Sequence, residues 1–226
     1  MYLQAWVIDG TTVIGGFTLG QLVSYLFVTI VFQRILPRFD ISVEVEKDID
    51  EGALIGYLTK PIDYTGFRFF REVPRAVLFF SFGILTYFVG ILLLNLVTPS
   101  ILNILLFIPF FILAYAVSFF LFYTTALLTF WIGRHWWLRN FMVLFMIIAG
   151  GGLVPLTFFP PAIQFVLALM PFQYCYYIPA TILQGYYAVT QLVEISLIGL
   201  FWLIVLYVLA KLVWHRGRRQ YEGAGG

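Results

Sequence analysis

Residues 101–131 read ILNILLFIPFFILAYAVSFFLFYTTALLTFW and contain no charged side chain. A helix needs about 20 apolar residues to cross the hydrocarbon layer of a bilayer, and this stretch exceeds that length. Its polar and apolar residues do not alternate, so it lacks the pattern of a transmembrane β-strand. The stretch therefore predicts a transmembrane helix long enough to tilt or to extend beyond the hydrocarbon.

The rest of the chain shares this apolar character. Hydrophobic residues make up 62% of the sequence and charged residues 11%. Soluble domains carry about 25% charged residues, so a water-soluble fold is excluded. Backbone groups in hydrocarbon must pair within the protein, which favours an all-α, polytopic helical bundle that forms one transmembrane domain over residues 1–226. The predicted spans are residues 17–36, 77–97, 101–131, 140–153 and 192–214.

The basic residues mark one side of the membrane. All 13 lysines and arginines fall in the segments 34–75, 134–139 and 211–219. Cytoplasmic loops of membrane proteins are enriched in these residues, so all three segments, including the C-terminus, are predicted to be cytoplasmic. The uncharged turn Thr98–Ser100 then lies outside, and the first span runs inward.

Residues 154–190 carry no charge, but prolines cut them into pieces too short for a span. The prolines stand at positions 155, 160, 161, 171 and 179. A full crossing here would also place the basic C-terminal tail outside. We therefore predict two short helices, about Pro161–Met170 and Phe172–Gln184, that form a re-entrant hairpin entering from the outer face. Such backbone is tolerated at membrane depth only beside protein or water, which makes it a candidate functional element; an interfacial cap without a role in transport is the alternative.

The N-terminal residues raise a separate expectation. An inward first span places Met1–Gly16 outside, and the apolar segment Met1–Ile8 resembles the end of an earlier helix. We expect an upstream crossing that is missing because the start codon was assigned late or the chain was trimmed. A short translocated tail is the alternative.

The most polar stretch, residues 38–75, contains an amphipathic segment. Four apolar residues recur at every fourth position, which is the spacing of one helical stripe. They are Ile41, Val45, Ile49 and Ala53. Gly52 is placed to end this helix. The segment Ile41–Glu46 also fits a strand, but an isolated strand at a membrane surface has no partner.

The charge of this segment indicates its role. The remaining faces carry Glu44, Glu46, Lys47, Asp48, Asp50 and Glu51. A helix that binds a lipid surface is rich in lysine and arginine, whereas this one is acidic. We therefore interpret it as a surface that docks a protein, with an ordinary solvated loop helix as the alternative.

Catalytic and ion-coupling motifs are missing from the sequence. The chain has no Gly-x-x-x-x-Gly-Lys-Ser/Thr sequence for ATP and no spaced histidine or cysteine pair for a metal. His135 and His215 lie in basic loops and are interpreted as surface or interfacial residues, and the single Cys175 as a packing residue. Only Glu194 is acidic near membrane depth, whereas ion-coupled transporters carry ionisable residues at mid-membrane. The chain is predicted not to be an enzyme, and energy for transport would come from elsewhere.

Three passages carry a family resemblance. Residues 51–62, EGALIGYLTKPI, contain a glycine after an amphipathic segment and a leucine before a basic residue and proline. Residues 150–160, GGGLVPLTFFP, are the most specific passage, and the closing span with the tail 216–226 is the third. Together they resemble the ABC-2 type transporter permeases, in particular those described as ABC-2 family transporter proteins. That family has six crossings per subunit, so the five counted here agree with a missing upstream helix.

The resemblance implies the membrane-spanning permease subunit of an ATP-driven ABC exporter. Two permease subunits, identical or sisters, would form the substrate pathway, and two separate ABC ATPase subunits would dock below them and hold ATP and Mg²⁺. By similarity, the ATPase-coupling residues would be Glu44, Asp48, Ile49, Glu51, Gly52, Leu54 and Leu58. The outer gate would contain Gly150, Gly152, Pro155, Phe158, Phe159, Pro160, Pro171, Phe172 and Tyr174, with its aromatic rings lining the exit.

The same resemblance places the protein in the prokaryotic cytoplasmic (inner) membrane, in contact with membrane lipid and with no nucleic-acid partner. Two other functions stay open. A secondary transporter or channel that works alone is disfavoured by the absence of mid-membrane charge and of inverted repeats. A non-transporting membrane scaffold is the other, while an intramembrane enzyme would lack paired catalytic residues. An apolar, aromatic pathway fits an amphipathic drug or lipid as cargo.

Overall fold

The computed structural model describes residues 15–94 and 96–221, and these form a bundle of helices. The helices are α1 (Leu19–Ile35), α2 (Phe39–Asp50), α3 (Ile55–Leu58), α4 (Tyr64–Arg71), α5 (Val73–Leu94), α6 (Ile101–Leu127), α7 (Thr129–Ile132), α8 (Trp136–Ala149), α9 (Pro161–Ala168), α10 (Tyr177–Leu183) and α11 (Val189–Gln220). Short 3₁₀ turns occupy Leu156–Phe158 and Pro171–Tyr174. The described residues contain no strand, and the predicted all-α class is confirmed. The segment Met1–Ile8, interpreted above as the end of an earlier helix, lies outside the described residues.

Four helical rods are long and apolar enough to cross a bilayer. They are Leu19–Asp50, Tyr64–Leu94, Ile101–Ile132 and Val189–Gln220. Each rod contains or overlaps one predicted span. The first two rods also include α2 and α4, so most of the polar stretch continues the membrane helices rather than forming a separate loop.

The predicted span at residues 140–153 differs from the structure. α8 begins at Trp136, within the segment predicted to be a basic loop, and it has only 14 residues. At 1.5 Å per residue it is about 21 Å long, which is shorter than the hydrocarbon thickness of about 30 Å. The chain leaves the helix in a glycine run, where Gly151 has a φ of 78°. α8 is therefore not a complete crossing by itself.

α6 is the central helix, and α11 packs along it in the same direction. A Cβ on Gly199 would lie 2.6 Å from Leu113 Cδ2. Further along, the rings of Tyr207 and Phe120 are 5.5 Å apart. Residue numbers rise together on both helices, so α6 and α11 are parallel. The chain between them must therefore return once across the membrane, and α8 with the short helices after it makes that return.

The return path contains the two short helices that the prolines predicted. α9 and the segment Pro171–Leu183 are bent by 77° relative to each other, which is the geometry of a broken span or a re-entrant loop. The non-helical carbonyls before them are paired inside the protein. Tyr25 Oη donates to the Gly151 carbonyl at 2.5 Å, and Gln33 Nε2 donates to the Gly152 carbonyl at 3.2 Å. These bonds from α1 satisfy irregular backbone that lipid could not solvate.

The first two rods form an antiparallel hairpin. A Cβ on Gly83 of α5 would lie 2.5 Å from Val31 Cγ1, and α1 and α5 approach closely because glycine leaves that space open. Beyond α1, α2 follows α6, with Ser42 Oγ donating to the Phe122 carbonyl at 3.1 Å. α4 then brings the chain back. α3 consequently lies at the tip of the hairpin, at the same end of the molecule as the basic segment 134–139.

We expect the replacement of Gly150 by alanine to destabilise the protein. The added Cβ would lie 2.6 Å from the Phe172 carbonyl oxygen and 2.9 Å from the Tyr176 ring, and a backbone atom cannot rotate away. Overpacking of this kind costs about 1–3 kcal/mol. The matched control is Gly20→Ala in α1, where a Cβ meets nothing within 4 Å, and it is expected to be neutral or stabilising.

Thermal unfolding in detergent provides the measurement. A thiol-reactive dye reports unfolding through Cys175, the one cysteine of the chain, which is fully buried. A lower melting temperature is expected for Gly150→Ala only. Equal melting temperatures for the two variants would contradict the described packing of the glycine run.

Candidate functional site

The polar hairpin, defined as α2 to α4 (residues 39–71), is built around the predicted apolar stripe. Ile41, Val45 and Ile49 are buried against the bundle. α2 ends at Asp50, and Gly52 follows with a φ of 80°, so the predicted helix and its glycine end are confirmed and the strand is not found. Ala53 lies beyond the helix and is exposed. The stripe therefore fixes α2 to the membrane helices.

Arg68 is the centre of the polar hairpin. It is 1% exposed and forms ion pairs with Asp48 and Glu44 of α2. Its Nε donates to Tyr64 Oη at 3.1 Å, and Tyr64 Oη donates to Asp48 Oδ2 at 2.6 Å. A buried cation is stable only when it is paired and hydrogen-bonded in this way. The cluster therefore holds α4 antiparallel to α2.

The same cluster is attached to the two parallel membrane helices. The Tyr64 ring stacks on Trp214 of α11, with centroids 4.9 Å apart and planes at 10°. Thr65 Oγ1 lies 3.1 Å from Tyr123 Oη of α6, within hydrogen-bond distance. A displacement of the polar hairpin would consequently act directly on α6 and α11.

A second buried cluster joins α2 to the start of α8. Arg139 Nη1 donates to Glu46 Oε2 at 2.7 Å. His135 is 1% exposed, and its ring nitrogens lie 2.9 Å from the carbonyl oxygens of Thr125 and Gly133. The interpretation of His135 as a surface residue is wrong, because its imidazole pairs with backbone carbonyls around the break between α6 and α8.

The acidic residues of the polar hairpin are paired within the protein. The ion pairs are Asp40 with Arg75, Glu44 with Arg68 and Arg71, Glu46 with Arg139, Asp48 with Arg68, and Asp50 and Glu51 with Arg134. Asp48 is 8% exposed, and Ile49 and Leu54 are also buried. The expectation that Asp48 lies on an open acidic face is therefore wrong. The acidity of α2 is matched by the basic residues of its neighbours.

The surface that remains open is the end of the hairpin, which we call the α3 tip (residues 51–62). Three large apolar side chains there, Ile55, Leu58 and Ile62, are 43–47% exposed. The predicted coupling residue Glu51 is also exposed, and Glu44 and Gly52 are partly exposed. Exposed apolar side chains beside charged ones are typical of a protein-binding surface.

The predicted outer-gate residues differ in burial and fall into three groups. Gly150, Gly152, Pro155, Pro171, Phe172 and Tyr174 are buried, Phe158 and Phe159 are half-buried, and Pro160 is exposed. The Phe172 ring packs edge-on against Phe145 at 5.0 Å, and Tyr174 Oη donates to the Ile195 carbonyl at 3.0 Å. In this conformation both rings fill space between helices of one subunit. Their part in an outer gate stays a prediction.

Several residues of the site were missed from the sequence, although a signal was present. Asp40, Glu44 and Asp48 recur every four residues, while Arg68 and Arg75 lie on the returning segment. Two oppositely charged helical faces on the two sides of a turn indicate antiparallel pairing. Tyr64 and His135 carried no comparable signal, because their partners are distant in sequence.

We expect Arg68→Ala to destabilise the protein by about 3–5 kcal/mol, because it leaves the carboxylate of Asp48 buried without its cation. The matched control is Arg71→Ala on the same helix, whose guanidinium is half-exposed and lies 3.6 Å from Glu44. Exposed pairs contribute about 0–1 kcal/mol, so this variant should unfold like the wild type. Unfolding followed through Cys175 compares the two, and equal losses would contradict the central role of Arg68.

Comparison with known proteins agrees with this architecture. The family model described as ABC-2 family transporter protein matches residues 2–225. No curated protein and no solved structure matches the chain. The family match covers nearly the whole sequence, and the described helices supply the spans of a multi-pass membrane protein. The chain belongs to the ABC-2 family of transporter proteins and is a membrane permease of the ABC-2 type.

Proposed function

We propose that this permease is the membrane-spanning subunit of an ATP-driven exporter and that a separate ABC ATPase docks on its α3 tip. The exposed apolar side chains of the α3 tip are the observation that carries this proposal. Membrane helices expose apolar side chains to lipid, but α3 lies at the basic end of the bundle, beyond the apolar spans. A protein partner is the occupant that would remove those side chains from water.

The coupling surface that we propose differs from the one expected from charge. Leu58, Glu51 and the partly exposed Gly52 and Glu44 are accessible to a partner, whereas Asp48, Ile49 and Leu54 are not. We assign the buried three to the internal support of the α3 tip. Direct docking then depends on apolar contact at α3, with the charges of α2 holding the hairpin rigid behind it.

The contacts of the polar hairpin support a role in transmitting movement from the ATPase to the membrane helices. Arg68 fixes α4 to α2, Tyr64 stacks on α11, and Glu46 pairs with Arg139 at the start of α8. A push on the α3 tip would therefore reach α11 and α8 together. ATP and Mg²⁺ would bind in the partner subunit, where closure of two ATPases would generate that push.

A second permease subunit, either a copy of this chain or a sister, completes the proposed assembly. α8 is too short to cross alone and exposes large apolar residues on one face. Those residues are Trp136, Trp137, Phe141 and Leu144. A neighbouring subunit would cover this face and the adjoining part of the membrane depth that α8 is too short to span. Two permeases and two ATPases would then form an exporter in the prokaryotic cytoplasmic membrane, with the C-terminus inside.

Replacement of Leu58 by glutamate should release the ATPase. Burying a leucine contributes about 1.5–3 kcal/mol, so its loss should weaken association by more than about tenfold. Tagged protein is purified from host membranes, and the co-purifying protein is identified by mass spectrometry, so that its sequence can be searched for a P-loop. Native mass spectrometry then gives the stoichiometry of the complex. The matched control is Val189→Glu, which also replaces an exposed apolar side chain by a carboxylate. Val189 is the first residue of α11, at the end of the molecule away from the α3 tip.

Two outcomes would contradict the proposal. One is an ATPase that binds the Leu58→Glu variant as well as it binds the wild type. The other is substrate transport by the purified permease in vesicles without any nucleotide, which would instead support a transporter that works alone.

The orientation predicts which ends of the molecule react with reagents outside the cell. In a Cys175→Ala background, Ala188→Cys should react with a membrane-impermeant maleimide in intact cells, because Ala188 lies exposed before α11. Thr59→Cys, exposed at the α3 tip, should react only in inverted vesicles. Labelling of Thr59→Cys in intact cells would place the α3 tip outside and remove the docking assignment.

A further inference from the structure

The side of the molecule between α4, α6 and α11 contains two adjoining hollows. The first has a volume of about 350 Å³ and is lined mainly by apolar groups, among them Phe69, Phe120 and Leu203. The second has a volume of about 480 Å³, and its lining combines the basic residues Lys211, His215 and Arg218 with apolar side chains that include Val208, Leu212 and Trp214. Both hollows share Asp63, Tyr207 and Lys211, so they form one groove with an apolar half and a basic half.

The groove lies where the apolar part of α11 ends. Residues 195–210 carry no charge, and Lys211 is the first basic residue after them. The apolar half lies on the membrane side of Lys211 and the basic half beyond it. The groove thus spans the depth at which a phospholipid changes from acyl chain to phosphate.

The basic half contains the cations Lys211 and Arg218 and one carboxylate, Asp63, so its charge is positive overall. One guanidinium nitrogen of Arg218 lies 3.0 Å from His215 Nδ1, and one of Arg219 lies 3.2 Å from His215 Nε2. Lys211 Nζ lies 3.0 Å from Asp63 Oδ1 at the junction of the two halves. Burial raises the pKa of Asp63, but hydrogen bonds from Lys211 and the Gly66 N–H outweigh it, so the pKa lies below its usual value. Asp63 therefore stays charged and fixes Lys211 at the groove.

We infer that this groove binds an anionic phospholipid, with its phosphate among Lys211, His215 and Arg218 and an acyl chain in the apolar half. The two halves match the two chemistries of the ligand and their order along the membrane normal. An acidic protein surface would use the basic half only. A soluble phosphate would do the same, whereas the adjoining apolar hollow fits a chain that remains in the membrane.

Native mass spectrometry of the detergent-purified chain tests this inference with phosphatidylglycerol and phosphatidylcholine as probes. Each Lys or Arg near an anionic lipid strengthens binding about fivefold. Lys211→Gln combined with Arg218→Gln should therefore reduce phosphatidylglycerol binding about thirtyfold and leave phosphatidylcholine binding nearly unchanged. The matched control combines Arg34→Gln with Lys60→Gln, which removes two exposed charges elsewhere at the same end and should change phosphatidylglycerol binding less than about twofold.

A second variant tests the apolar half without changing charge. Ile204 lines the first hollow and is exposed, so Ile204→Trp should fill the acyl-chain site and weaken binding of long-chain phosphatidylglycerol. Glycerol phosphate should not displace the lipid at equal concentration.

Four results would overturn the assignment. Two are equal binding of both lipids to the wild type and an equal loss of phosphatidylglycerol binding in the control double variant. A third is displacement of the lipid by glycerol phosphate with Ile204→Trp unaffected, which would leave a site for soluble anions. If the Lys211→Gln/Arg218→Gln variant binds phosphatidylglycerol normally but loses a co-purifying protein, the basic half is a protein contact instead.

Discussion

A buried guanidinium organises the part of this permease that faces the aqueous phase. Arg68 is withdrawn from water, and removing a cation from water costs several kcal/mol unless anions and hydrogen-bond acceptors surround it. Asp48 and Glu44 supply the anions, and Tyr64 supplies a hydroxyl. All three groups must keep their positions for the cluster to remain paired. The fold of the polar hairpin is therefore fixed by electrostatics at a place where lipid no longer supports the helices.

This constraint changes the meaning of the acidic helix. A run of carboxylates on α2 is read most simply as a surface that awaits a partner, but here each carboxylate has a basic partner on α4, on α5 or near the start of α8. The basic partners lie 20 to 93 residues further along the chain. The shortest separation is that of Asp48 and Arg68, and the longest is that of Glu46 and Arg139. Charge that is compensated internally gives rigidity, while recognition is left to the exposed apolar side chains of the α3 tip.

The sequence predicted the features that depend on neighbouring residues. Apolar runs located the long helices, the four-residue period of Ile41, Val45 and Ile49 located the buried face of α2, and prolines marked the two short helices after the glycine run. It did not predict the length of α8, because hydropathy cannot show that Gly150 and Gly152 pack against the rings around Tyr176. Nor did it predict the burial of His135. That depends on carbonyl groups of Thr125 and Gly133, which His135 meets only when the chain folds back at the break between α6 and α8.

α11 is the element that physically connects the two ends of the molecule. In its N-terminal half Gly199 packs against the ring of Tyr174, and near its C-terminal end Trp214 stacks on Tyr64 of the polar hairpin. A continuous helix of 32 residues spans about 48 Å, and its hydrogen bonds make it stiff along its axis. Its buried residues, among them Gly199, Leu206 and Ala210, form one stripe along the helix. A displacement that begins at the α3 tip would therefore pass along α11 to Tyr174, and from Tyr174 to the glycine run and α10. The family resemblance assigns Tyr174 and the glycine run to the outer gate.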